Sequence, residues 1–126
     1  MGLTHRIDHD NKAMFVTADG PITYSDIRSH LFKERYENGL TYAELIDART
    51  ASPDFSSEDV RNIVSLLNVF AKEHTLGPTA VVVSTDLGFG VMRMLGLLVE
   101  DVCAVRPFRD VDPALEWLRE TRLKRA

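Results

Sequence analysis

The segment TAVVVSTDLGFGVMRMLGLLVE, residues 79–100, sets the narrowest limits on what this chain can fold into. Its first part, residues 80–83, is too short for a helix and rich in β-branched side chains, whose stiff χ1 rotamers suit a pleated sheet. Residues of both parities are apolar, so both faces of this strand need cover, as in the centre of a largely parallel sheet. Ser84, Thr85 and Asp86 then offer oxygens to the free amides of a following helix, with Asp86 the expected N-cap. That helix, residues 89–99, carries Phe89, Val91, Met92, Met94, Leu95, Leu97, Leu98 and Val99. They lie nearly all round it, and packing one stripe against a sheet cannot bury them all.

The rest of the chain reads as further α/β units. Residues 5–9 and 12–18 are expected as two strands joined at Asp10-Asn11, with Gly20-Pro21 ending the hairpin. Thr23 with Asp26 predicts a capped helix to about residue 36, stopped by Asn38-Gly39, with Ile22 and Ile27 as a hydrophobic staple. Residues 40–48 return as a strand whose mixed faces suggest incomplete cover, and residues 49–55 read as a loop. A second staple, Phe55 with Val60 around a Ser56 N-cap, opens the clearest helix: Val60, Ile63, Val64, Leu67, Phe70, Ala71 and His74 repeat at three and four, a stripe to set against a sheet. Residues 102–106 form the last strand, and Asp112 with Pro113 opens a final helix carrying Leu115, Trp117 and Leu118. The order is a β-hairpin followed by four βα units. Right-handed crossovers then wind a five-stranded mixed sheet in one direction.

At 126 residues, one domain spanning 1–126 with a single core is expected. A net charge of -4 argues against nucleic acid as a partner, since backbone affinity comes from clustered Lys and Arg. The basic group Arg119, Arg122, Lys124 and Arg125 reads as a solvated helix end. Asp86 and Arg93 interrupt the most apolar region, so no membrane-spanning stretch is expected. The lone Cys103, placed in a buried strand, reads as an inert packed thiol. With no basic segment leading into an apolar run at the start, a cytoplasmic location is expected.

The element order, with the segments ELIDART, TAVVVSTD and CAVRPFRDVDPALEWLRE, resembles the SpoIIAA-like family within the STAS and SEC14-like group. The most specific piece is the last, with Phe108, Asp110, Ala114, Trp117 and Leu118. The resemblance implies a β-α superhelix with its helices mainly on one face of the sheet, no cofactor, and no known chemistry for most members. In STAS antagonists of anti-sigma factors, a regulatory serine opens the second helix nine or ten residues after a strand Asp. Here Asp47 is followed at that distance by Ser56 and Ser57, possible phosphorylation sites by this likeness, but Glu58 stands where the motif has glycine. A plain N-cap accounts for Ser56 without a switch.

Chemistry-bearing motifs are sparse. His5 and His9 are too far apart along a strand to share a metal ion, and His30 and His74, in different helices, show no cluster of ligand spacing, so no metal site is expected. Gly88-Phe89-Gly90 has only two glycines of a dinucleotide fingerprint and reads as a tight turn. No nucleophile elbow is present and no catalytic residue is assigned. The functional reading is a non-catalytic binding or regulatory domain using the loop 49–57 and the helix 89–99, with Asp47, Arg49, Thr50, Phe55, Phe89, Met92 and Leu95 as its surface. Expected outcomes are a homodimer or other protein partner, or a small apolar or acyl ligand. The alternative is a small enzyme using carboxylates at strand ends, Asp47, Asp54 or Asp86.

Overall fold

The structure, a computed structural model, describes residues 2–125, with side chains other than those of residues 35 and 123–125. The elements run β1 (Gly2–Asp8), β2 (Ala13–Thr23), α1 (Tyr24–Tyr36), β3 (Ala43–Asp54), α2 (Ser57–Ala71), β4 (Thr79–Val82), α3 (Asp86–Leu98), β5 (Val105–Phe108) and α4 (Val111–Arg125). They form a 5-stranded sheet in the order β1-β2-β3-β4-β5. β1 is antiparallel to β2, and every later pair is parallel. This is the hairpin followed by four βα units that the sequence implies.

Strand parity divides the core in two. Leu45, Ala80 and Val82 meet Ala114 and Leu118 of α4 on one face, with Phe15, Phe108 and Trp117 at the margin. On the other face α1 and α3 lie against the sheet and α2 packs on those two helices, with Val60, Ile63, Leu67 and Phe70 of α2, Leu95 of α3 and its capping Val99 in the larger core. Three of the four helices therefore share a face. The stripe on α2 does not lie on the sheet as expected. It packs with α1, α3 and the connecting residues Leu40, Leu76 and Cys103, as the edge-to-face rings of Phe32 and Phe70 illustrate at 5.4 Å. α2 also stops at Ala71, short of His74.

Two strands run further than the sequence suggests. β2 continues through Gly20 and Pro21 to Thr23, after a register irregularity between Thr17 and Asp19, and pairs there with 50–54 of β3. The segment read as a loop is thus mostly strand. β1 pairs no further along β2 than Asp19, and β4 no further along β3 than Asp47. Beyond those points each strand has a partner on one side only, where a proline without an amide proton is tolerated.

The helix ends follow local chemistry. Thr23 and Asp26 exchange bonds at the start of α1, with Asp26 Oδ2 accepting from the Thr23 amide at 2.9 Å and Thr23 Oγ1 from the Asp26 amide at 3.2 Å. Asn38, at φ 63, supplies the left-handed residue after α1. Cys103 is buried in the turn before β5 rather than in a strand, because β5 starts only at Val105. α4 opens at Val111, which puts Pro113 third rather than first, still inside the turn whose amides lack helical acceptors. Of the basic C-terminal group, the Lys124 and Arg125 side chains lie outside the described residues.

Candidate functional site

α3 starts three residues earlier than expected, at Asp86, and Thr85 rather than Asp86 is its N-cap. Thr85 is extended and its Oγ1 accepts from the Gly88 amide at 3.0 Å. Asp86 instead occupies the first turn, where a negative charge complements the helix dipole, and accepts from Nη2 of Arg109 at 2.6 Å. The same guanidinium covers the half-buried Phe89 ring, 4.9 Å from its centre. Gly88 and Gly90 lie within the helix, so the segment read as a tight turn is helical and the Gly88 amide is already taken.

The apolar surplus on α3 divides cleanly. Leu95 and Val99 are buried, so Leu95 belongs to the core and not to an open surface. Leu87, Met94, Leu97 and Leu98 are 65%, 44%, 62% and 54% exposed. A groove beside them runs between the start of α2 and α3, lined by Phe55, Val60, Leu87, Val91 and Met94 together with Ser56 and Ser57.

Behind α3 a second recess of about 80 Å³ opens between the helices and the sheet. Its walls include Ile22, Ile27, Ile46, Phe55, Val81 and Met92 and are almost wholly apolar. Two of the residues expected at the site, Phe55 and Met92, meet here. The polar members lie apart. Arg49 holds Asp47 in a two-pronged pair, both bonds at 2.9 Å, and these hydrogen bonds keep the Asp47 carboxyl below its ordinary range. Thr50 donates to the Ala18 carbonyl at 3.4 Å, and Ser84 to the Arg49 carbonyl at 2.7 Å. Asp47 and Asp86, two of the three carboxylates considered for catalysis, are each engaged by an arginine.

Ser56 caps α2 within a full capping box: Asp59 Oδ2 accepts from the Ser56 amide at 2.9 Å and Ser56 Oγ from the Asp59 amide at 3.0 Å. Ser57, the first residue of the helix, is exposed.

The most unusual polar feature was missed in the sequence. His30 and Glu34, one turn apart on α1, meet Glu44 of β3 beneath the helix, and all three are buried, at 6%, 4% and 6% exposed. Nε2 of His30 lies 2.7 Å from Oε2 of Glu44 and 2.6 Å from Oε1 of Glu34. Thr79 donates to the second Glu44 oxygen at 3.3 Å, and the His5 ring meets the His30 ring edge-on at 5.6 Å. Burial opposes charge on His30, but the two carboxylates beside it, Glu34 and Glu44, outweigh that and push its pKa up to about 10. Burial and the neighbouring Glu44 push Glu34 up to about 8, while at Glu44 burial acts most strongly, but the bond and charge of His30 together with the contacts from Glu34 and Thr79 outweigh it and lower the pKa. The spacing of His30 and Glu34 was a usable clue. Glu44 was not, because a polar residue in a strand of mixed faces reads as exposed.

A crystal structure of an uncharacterised protein of the DUF3478 family from Shewanella loihica PV-4, described as having a SpoIIAA-like fold, superposes with a TM-score of 0.62 over 93% of each chain. The chain has the SpoIIAA-like fold. Sequence identity is 18%, at which the likeness concerns architecture alone. No family model and no curated protein matches the sequence. Within this SpoIIAA-like frame, α3 and the strand end leading to α2 carry the exposed apolar surface, and the buried His30 cluster sits under α1. No described helix is long and apolar enough to cross a membrane.

Proposed function

We propose that this SpoIIAA-like chain is a non-catalytic binding domain, and that the outer face of α3 with the adjoining segment 49–57 is its docking surface. The observation that carries the reading is the exposure of Leu87, Met94, Leu97 and Leu98 on one short helix. Exposed apolar residues scattered singly are ordinary, whereas several on one helix, flanked by a groove of mixed polar and apolar lining, mark an interaction surface. The proposed occupant is a second copy of the chain, giving a symmetric dimer in which α3 meets its equivalent. Ser56 serves this reading as a helix cap, and the buried thiol of Cys103 suits a reducing cytoplasm. Sedimentation of the purified protein tests it: the wild type should dimerise and Leu97→Glu should not.

The recess of about 80 Å³ supports a second reading, in which a small apolar molecule or the end of an acyl chain enters between α3 and the sheet. Native mass spectrometry of the purified chain distinguishes the two. A bound mass lost in Met92→Trp, which fills the recess, favours the ligand, and a dimer without added mass favours the protein partner.

A further inference from the structure

We infer that His30, Glu34 and Glu44 form a binding site for one first-row divalent metal ion of the zinc type. Their ligating atoms, one imidazole nitrogen and two carboxylate oxygens, all lie within 4.8 Å of one another, and all three residues are buried. Two of the ligands come from adjacent turns of one helix face and the third from the strand beneath it. This inference is independent of the docking surface on α3.

The arrangement is poorly satisfied as a set of hydrogen bonds alone. Both carboxylates crowd the same nitrogen, and a single N–H serves only one of them well. Glu44 takes that bond, at 2.7 Å. Oε1 of Glu34 lies 2.6 Å from the nitrogen, yet it is buried without a hydrogen bond. A buried acceptor left in this way is costly, and an ion placed among the three atoms would engage it together with the other two.

Geometry and charge fit such an ion. Tetrahedral bonds of about 2.0–2.1 Å space neighbouring ligands about 3.3 Å apart, so the two contacts to the His30 nitrogen, at 2.6 and 2.7 Å, need to open by less than an ångström. Metal binding requires the imidazole neutral and both carboxylates ionised, and the two negative charges left as the protons depart are cancelled by a divalent ion in a place where uncompensated charge is expensive. The imidazole disfavours magnesium and calcium, which prefer oxygen cages of higher coordination number, and suits zinc and its neighbours. Thr79, donating to Glu44 Oε1, orients one ligand as supporting groups around metals do. A groove lined by His5, Asp26, Ser29 and Lys33 reaches His30 and gives a route for entry. Three protein ligands leave a fourth position for water or a small anion.

The test uses the full chain, stripped of metal and titrated with Zn²⁺ by calorimetry and with Co²⁺ by visible absorption. The expected result is one ion per chain, a tetrahedral cobalt spectrum, and no competition from excess Mg²⁺. Glu34→Gln and Glu44→Gln should each weaken binding by about 100-fold or more, since loss even of supporting groups costs 10- to 100-fold. His74→Ala, away from the cluster, should bind as the wild type does. Should the Gln variants fail to fold, the ¹⁵N shift of His30 Nε2 in the wild type decides: movement to a metal-bound value on zinc addition supports the site. An unmoved histidine signal, substoichiometric binding, or binding unchanged in Glu34→Gln overturns it.

Discussion

Nε2 of His30 and Oε2 of Glu44 lie 2.7 Å apart in the interior, tying the second turn of α1 to the second residue of β3. In metal-free protein this contact and its neighbour Glu34 make stability depend on pH. His30 is raised from 6.5 to about 10 and Glu34 from 4.5 to about 8. For both, the folded state keeps a proton that the unfolded chain releases, so their contributions are full below the unfolded values and are lost as pH rises through the folded ones. Glu44, whose pKa is lowered, acts at the opposite end, losing its contribution as pH falls below its ordinary 4.5. With chelator present, the urea midpoint should fall steadily as pH is raised from about 5 to 10. Glu34→Gln should flatten the part of that fall below pH 8. A midpoint that rises over this interval would contradict the assignment.

Gly96 lets α3 lie against β5. A Cβ at this position would collide with the Val105 carbonyl, a backbone atom that cannot swing aside. Gly96→Ala should therefore destabilise the chain by about 1–3 kcal/mol despite the better helix propensity of alanine. Denaturant unfolding measures this, and a stabilised variant would show that the helix can move away from the strand freely.

Ser56 is expected to act by capping. Ser56→Ala should cost about 0.5–2 kcal/mol through loss of the bond to the Asp59 amide, whereas Ser56→Asp, another good cap, should remain near the wild type. Thermal unfolding of the three proteins is sufficient. Equal losses in both variants would mean that the hydroxyl has a role which another capping side chain cannot fill.

Local chemistry carried most of the architecture into the sequence. Thr23 with Asp26 and Ser56 with Asp59 announce helix starts through pairs three residues apart, and Ala80 to Val83 announces a covered strand through its unbroken apolar run. The misreadings come from partners distant in sequence. Residues 50–54, with their Ser and Pro, are strand because β2 lies alongside. Glu44 is buried because His30 waits beneath α1, which no strand pattern discloses. Among the site residues, Phe55 and Met92 meet at one recess as their apolar character suggested, while Leu95 turned inward and Asp47 was claimed by Arg49. A helix apolar on all sides tells that something covers it. It does not tell which side chains its own chain covers first.

The outer face of α3 is expected to dock a second copy, and sedimentation equilibrium of wild type beside Leu97→Glu tests this most directly. Leu97 is 62% exposed, so the variant should unfold within about 0.5 kcal/mol of the wild type and report on association alone. A wild-type dimer at micromolar concentration with a monomeric Leu97→Glu is the predicted result. A wild type that stays monomeric at much higher concentration, or a Leu97→Glu variant that dimerises as well as its parent, would contradict it.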